Sequence, residues 1–212
     1  VTDTQPAHVV FLDLETTGLS PKRDRILEIA VVPARIIALD SCYVEELDAF
    51  TALVYTPDVM QYLEGNDVVI EMHTKSGLLD HVQRFGRHSV AEVEAEVLAF
   101  LRDCGFEPGK TILAGSSVWF DRGFLREHMP DLESFFHHRM LDVSAIRVLA
   151  QLMVDPRVGE RLRAMFGEAR HRALSDCEGS IQELSLYMQC FLDHAGFWAT
   201  TLSKVQLEGD DQ

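Results

Sequence analysis

Short apolar runs and amphipathic stretches alternate along the chain, and the first structured segment is the most apolar. Residues 9–14, VVFLDL, form an almost unbroken apolar run, the pattern of a strand buried on both faces. A turn-rich link, TTGLSPKRDR, follows. ILEIAVVPARIIALD then predicts a long strand bent at Pro33, with CYVEELDAFTALVY as its antiparallel partner. Residues 57–72 read as irregular apart from a short helix at Val59–Leu63, and HTKSGLLDHVQ opens another helix. SVAEVEAEVLAFLRDCG predicts a helix with defined ends. Ser89 and Glu92 form a capping box, Val90, Val93, Val97 and Leu101 share one face, and Gly105 stops it.

TILAG (111–115) reads as a short buried strand, and WFDRGFLREHM (119–129) as a helix that stops at Pro130. DLESFFHHR predicts a second short helix, and RMLDV a strand leading into SAIRVLAQLM. Residues 153–170 carry the least legible pattern. HRALSDCEGSIQELSLYMQCFLDHAG closes the domain as a long helix, with Leu174, Ile181, Leu184, Met188 and Leu192 on one side. Antiparallel strands followed by alternating helices and strands predict an α/β fold, a mixed five-stranded sheet flanked by helices. At 212 residues the simplest organisation is one domain over 1–196, followed by an acidic C-terminal tail over 197–212.

Composition narrows the function. The formal net charge is −15, whereas a protein that tracks a long phosphate backbone carries a basic surface. Such a chain suits a small anionic substrate, held by metals and a few cationic side chains. Cys42, Cys104, Cys177 and Cys190 are scattered with no C-x-x-C, which reads as reduced, mostly buried thiols in a cytoplasmic protein. No leader-like segment and no apolar run of membrane-spanning length is visible, so no membrane partner is expected.

The candidate chemistry lies at the end of the first strand. Side chains alternate along a strand, so Asp13 and Glu15 project together. Two like charges at a buried strand end repel and lose hydration, and a divalent metal is the natural remedy. Asp121 opens a helix after TILAG, and His171 and Asp176 stand five apart at the start of the last helix. Singly, each has an ordinary reading. Asp121 suits a helix N-terminus, worth a few tenths to about 1 kcal/mol; His171 suits a cap region and Asp176 a surface.

In combination, D-x-E ending a first strand, an Asp opening a helix about a hundred residues later, and H-x-x-x-x-D opening the last helix resemble the DEDDh exonucleases. That resemblance implies an RNase H-like exonuclease fold and removal of nucleotides from 3′ ends. It also implies Asp13, Glu15, Asp121 and Asp176 as metal ligands and His171 as general base. Four hard-oxygen ligands and no Cys suggest two divalent ions, magnesium or manganese, rather than structural zinc. Histidine suits proton removal near neutral pH.

Longer segments narrow the branch. MHTKSGLLDHV (72–82), AGSSVWFDRGFLREHMPDLESFFHHRMLDVS (114–144) and HRALSDCEGSIQEL (171–184) resemble the oligoribonucleases, which cleave the shortest fragments, dinucleotides above all, to mononucleotides. With DLETTGL and DRILEIA the match spans most of residues 9–190, weakening in 40–66 and 153–170. The resemblance implies a cap on the substrate's 5′ phosphate from Ser117, His137 and Arg139. It also implies Leu19 as a wedge between the bases, His73 near the substrate, the backbone at Thr16 against the terminal 3′ hydroxyl, and a homodimer. Several positions depart from the family pattern. Thr16 replaces a methionine, Gly115-Ser116-Ser117 replaces G-N-S, and AQLM replaces an R-R-W segment. His138 replaces the tyrosine that reaches the partner's substrate. All these departures fall where sugar, base or phosphate is read, which leaves RNA and DNA substrates both open. Two other readings stand beside this one. A proofreading-type exonuclease on longer DNA is disfavoured by the charge of −15 and by the cap. A non-catalytic nucleotide-binding module is disfavoured because the four acids and the histidine are all retained.

Overall fold

The computed structural model describes residues 7–38, 42–153, 155–166 and 170–193. β1 (Ala7–Thr16) pairs antiparallel with β2 (Ile26–Ala38) on one side. On its other side β1 pairs parallel with β5 (Thr111–Gly115), which pairs parallel with β6 (Phe136–Asp142). Beyond β2, β3 (Cys42–Glu46) and β4 (Phe50–Leu53) share its outer edge, both antiparallel to it. The helices are α1 (Val59–Leu63), α2 (Asp67–Lys75), α3 (Leu78–Phe85), α4 (Val90–Asp103), α5 (Trp119–His128), α6 (Pro130–Phe135), α7 (Val143–Met153), α8 (Val158–Phe166) and α9 (Ala173–Asp193). Among the described residues, no helix is long and apolar enough to cross a membrane.

The mixed sheet flanked by helices is as expected, but it has six strands rather than five. The expected single partner of β2 is two strands, and Pro33 explains the break. The Pro33 carbonyl accepts from the Leu47 N–H at 2.9 Å on the outer edge of β2. In a strand, a residue's N–H and C=O point to the same side, so the missing proline N–H also faces that edge. It falls in the gap between β3, which pairs with 34–38, and β4, which pairs with 28–31. The interruption sits in the partner, while β2 runs unbroken.

The pleat divides the core. Val10, Leu12 and Leu14 of β1 with Ile29 and Val31 of β2 pack against Val93, Val97 and Leu101 of α4 and Phe124 and Leu125 of α5. Val9 and Phe11 with Ala30, Val32 and Ala34 pack against Cys177, Ile181, Leu184 and Met188 of α9. Asp13 and Glu15 continue the second series, so the alternation that buries the core aims both carboxylates toward the start of α9. A smaller cluster of Leu27, Val59, Leu63, Leu78 and Val82 sits beside the sheet's end.

Other expectations divide. The capping box at α4 is present, with the Glu92 N–H donating to Ser89 Oγ at 3.3 Å and the Ser89 N–H to Glu92 Oε2 at 2.7 Å. The helix expected from His73 is two helices, α2 and α3, separated by Ser76 and by Gly77 with φ 75°. His73 therefore lies in the last turn of α2, not at a helix start. The expected helix DLESFFHHR ends at Phe135, and His137, His138 and Arg139 lie on the edge strand β6. Buried Arg122 accounts for this. It donates to Glu133 Oε1 at 2.9 Å and to the carbonyls of His137 and His138 at 2.9 and 3.3 Å, so the chain is held extended from Phe136. The stretch 153–170 contains α8, and the last helix starts at Ala173, two residues after His171. Cys177 is buried and Cys104 half-buried, but Cys190 is exposed. The acidic tail expected over 197–212, and the side chains of Cys42 and Leu192, lie outside the described residues.

Replacing Arg122 by Met keeps its buried stem and removes all three polar links. Chemical denaturation should show a loss of about 1–2 kcal/mol, the cost of stranding part-buried acceptors. An unchanged midpoint would count against Arg122 as the anchor of β6.

Candidate active site

Four carboxylates and one imidazole come together at the end of β1. Asp121, in the first turn of α5, is 4% exposed, and its Oδ1 accepts the Leu14 N–H at 3.0 Å. That bond crosses 107 residues of chain and ties the helix to the strand residue between Asp13 and Glu15. Glu15 is 6% exposed, and the β1–β2 register shifts directly after it, between Glu15 and Thr16. Such a bulge re-aims the strand end. Asp176, in the first turn of α9, accepts the Arg170 N–H on Oδ1 at 3.2 Å. His171 precedes the helix with φ 52°, a left-handed conformation that few non-glycine residues take. Glu15, His171 and Asp176 can each direct one ligand atom so that all three lie within 4.8 Å of one another.

Electrostatics mark the group as short of positive charge. Burial, then Asp176 and Glu28, push the Asp13 carboxyl up to about 8. Burial, then Asp13, Asp176 and Glu28, push Glu15 up to about 9, against a lowering pull from Arg172. Burial, then Asp13, raises Asp121 well above the usual carboxylate range, despite the Leu14 N–H. Asp176 is also raised by burial, with the Arg170 N–H and His171 opposing. Clustered, dehydrated carboxylates of this kind fit a hard divalent cation as their partner.

His73 is fully buried beside them. Its Nε2 donates to the Thr16 carbonyl at 2.8 Å, while its Nδ1 stands 3.7 Å from Glu15 Oε2 with no hydrogen-bond partner. Burial lowers its pKa and favours the neutral ring. The carbonyl acceptor puts the proton on Nε2, so the Nδ1 lone pair faces Glu15. His73 thus supports the backbone at Thr16 rather than capping a helix.

Leu19 stands 81% exposed in the loop between β1 and β2, so it is no core residue. That loop is held by the Thr17 N–H to the Arg25 carbonyl at 2.9 Å and the Ser20 N–H to Asp24 Oδ2 at 2.7 Å. Ser117 follows β5 with φ 55°, and its N–H is shared between Asp142 Oδ1 at 3.0 Å and Ser144 Oγ at 3.1 Å. His137 and Arg139 lie five and three residues before Asp142 on β6, about 17 and 10 Å along the strand at a normal rise. The structure therefore brings Ser144, not His137, against Ser117. His137 and His138 face each other with ring centroids 4.0 Å apart, and the Arg139 N–H donates to His137 Nδ1 at 3.0 Å. A cleft of about 620 Å³ opens at Asp13 and Asp176 and runs past Ser116, Ser144, Ser180 and Arg147.

Sequence reasoning passed over Ser144, Glu28 and Arg172. Ser144 was visible as the serine ending DVS. Glu28 was visible as the lone charge in the apolar strand ILEIAVV; it is 5% exposed and is the cross-strand partner of Glu15.

Comparison with known proteins shows the family and the fold. A family model described as Exonuclease (RNase_T) matches residues 10–184. The oligoribonuclease of Coxiella burnetii is 41% identical over 187 residues, covering 87% of this chain and 94% of that protein. Those of Azoarcus sp. and Sodalis glossinidius are 39% and 36% identical over 189 and 185 residues, each with 96% of its length covered. Among solved structures, the zinc-bound form of the E. coli ExoI–ssDNA complex superposes with a TM-score of 0.58 at 17% identity. That match covers 92% of this chain but 43% of that one, and it shows a shared fold.

The raised carboxylates set a pH dependence. Unfolded, Asp and Glu titrate near 4; folded, Asp13 and Glu15 titrate near 8 and 9. Between those values the native state holds more protons, so its stability is greatest below the unfolded pKa and is lost as pH rises through the folded ones. In chelator, Tm should fall from pH 5 to pH 9, with magnesium or manganese restoring most of it at the alkaline end. The double variant Asp13→Asn/Glu15→Gln should flatten the slope. A Tm that rises toward pH 9 in chelator would contradict the raised values.

Proposed function

The chain belongs to the oligoribonuclease family of exonucleases, and on that footing we propose that it hydrolyses very short oligonucleotides, chiefly dinucleotides, from the 3′ end to nucleoside 5′-monophosphates. One observation carries the reading: Asp13, Glu15, Asp121 and Asp176 converge at the end of β1 with His171 beside them.

Asp13, Glu15, Asp121 and Asp176 are the residues that would hold two divalent ions, magnesium or manganese. Bound there, such ions would supply Lewis acidity, offsetting the negative charge that builds on the oxygens around the scissile phosphorus. The chain's own residues do the rest. A water oxygen attacks phosphorus, and the bond to the 3′ oxygen of the preceding nucleotide breaks, that oxygen taking a proton from solvent to leave as a hydroxyl. His171, exposed and next to Glu15 and Asp176, takes the water's proton on a ring nitrogen and returns it to solvent. In this reading the Thr16 backbone, braced by His73, meets the terminal 3′ hydroxyl. Leu19 parts the two bases, a role its exposure supports.

Recognition of the 5′ phosphate falls to the Ser117 and Ser144 hydroxyls, 3.1 Å apart, and to Arg139, whose guanidinium can fork to phosphate oxygens. His137 and His138 lie on the same exposed edge, where a second copy of the chain can approach. Leu149, Leu152 and Met153 on α7 and Trp119 on α5 are all exposed, large apolar side chains whose exposure supports a homodimer. The net charge of −15 weighs against a proofreading role on long DNA, where backbone tracking would dominate.

The deciding experiment compares 5′-phosphorylated RNA and DNA of two to seven nucleotides, in magnesium and in manganese. Rates should be highest on dinucleotides; processive digestion of long 5′-labelled strands would overturn the proposal. Asp121→Ala and Asp176→Ala should abolish turnover. His171→Ala should fold normally and lose about 10²–10⁴-fold in kcat, the scale of general-base catalysis. Arg139→Ala should instead raise KM for 5′-phosphorylated dinucleotides by about ten- to a hundredfold, the worth of a charged hydrogen bond. An unchanged KM would remove Arg139 from the cap.

A further inference from the structure

Glu28 and Arg172 form a second charged assembly behind the carboxylate group. Glu28 accepts from Arg172 Nε at 3.1 and 3.2 Å and from Arg172 Nη2 at 2.7 Å, and its Oε2 also accepts the Ala173 N–H at 3.0 Å. Arg172 Nη1 reaches His81 Nδ1 on α3 at 3.3 Å. The anchored residues directly follow His171, and the residue directly before it, Arg170, donates its N–H to Asp176. His171 is thus bracketed, tied to α9 on one side and to the central sheet on the other, while its own φ of 52° holds it outside the helix.

Glu28 is 5% exposed, and a carboxylate so placed costs desolvation that its partners must offset. A methionine or leucine would fill the same strand position without that cost. A forked guanidinium on a buried carboxylate, however, fixes position and angle together.

We infer that Glu28 and Arg172 are positioning residues for the reaction, bracing the left-handed turn that aims His171 at the attacking water. This rests on the reading of His171 as general base. The brace touches neither substrate nor the reacting atoms; it acts through His171. Misplacing a reacting group by about 1 Å costs on the order of a hundredfold in rate, so the effect belongs in kcat while substrate binding is kept.

The test is a double-mutant cycle on dinucleotide hydrolysis in the full chain, with Arg172→Gln and Glu28→Gln each made with and without His171→Ala. Alone, each brace variant should lower kcat about ten- to a hundredfold with KM within about twofold. In the His171→Ala background neither should lower it further, the non-additivity expected of groups acting as a unit. In metal-free protein, the His171 ring resonances should broaden or shift in the brace variants. Equal losses in both backgrounds, with unaltered His171 resonances, would overturn the brace and leave the general base standing. Full recovery by Arg172→Lys, which keeps the charge but not the fork, would overturn it too. A wild-type rate for His171→Ala alone would overturn the general base itself, and the brace with it.

Discussion

Carboxylate repulsion at the end of β1 is the constraint that the surrounding structure answers to. Four acids held close together and largely away from water stabilise nothing by themselves; burial raises all four, and the charge of neighbouring acids adds to it. They are held there by bonds the backbone provides. The Leu14 N–H fixes Asp121 and the Arg170 N–H fixes Asp176. The sheet's pleat fixes Asp13 and Glu15. The two apolar layers behind them, one against α4 and α5 and the other against α9, supply the burial that makes this tolerable. A site assembled this way is preorganised before any cation arrives, which is where much electrostatic catalysis originates.

The same constraint shapes what the protein can bind. An acidic chain repels a long polyanion at every phosphate beyond the site, and repulsion accumulates with length. In the proposed reading, a substrate with one scissile phosphate and one terminal phosphate meets that field at two points: the carboxylate group that a cation would neutralise, and the polar end of β5, where Ser117 and Ser144 present hydroxyls. Net charge and substrate length are therefore one argument.

Legibility from sequence followed the physics of each element. β1 and β5 carry near-continuous apolar runs, and α4 and α9 periodic apolar faces, that declare their types, and they lie where the pattern puts them. The split of the outer edge into β3 and β4 was hidden because proline acts there on the partner strand, through a missing donor that no periodicity records. The HHR segment read as helix because its extended state depends on Arg122, fifteen residues away in sequence from His137. Ser144 joined Ser117 through a left-handed turn and a shared backbone donor, again a tertiary event.

Glu28 was missed for a different reason, and it separates two kinds of residue at this site. A lone acid in an apolar strand ordinarily marks a face open to water, and here it marks a buried ion pair formed 144 residues away. Residues of this kind are held from several sides by backbone and charge, as Glu28 is by the Arg172 guanidinium and the Ala173 N–H. The positions that depart from the family pattern lie under less constraint. His138 is exposed on an edge strand and Ser116 is half-buried at the end of β5. AQLM, at the end of α7, carries the exposed Leu152 and Met153. Change there costs the fold little. Thr16 is the exception, buried at the strand end with its hydroxyl donating to the Gly18 carbonyl at 2.7 Å. Its backbone, the part the proposed reading turns toward a substrate, is fixed by His73 whatever the side chain. The chemistry is thus insulated from drift in specificity by the same burial that makes its carboxylates repel.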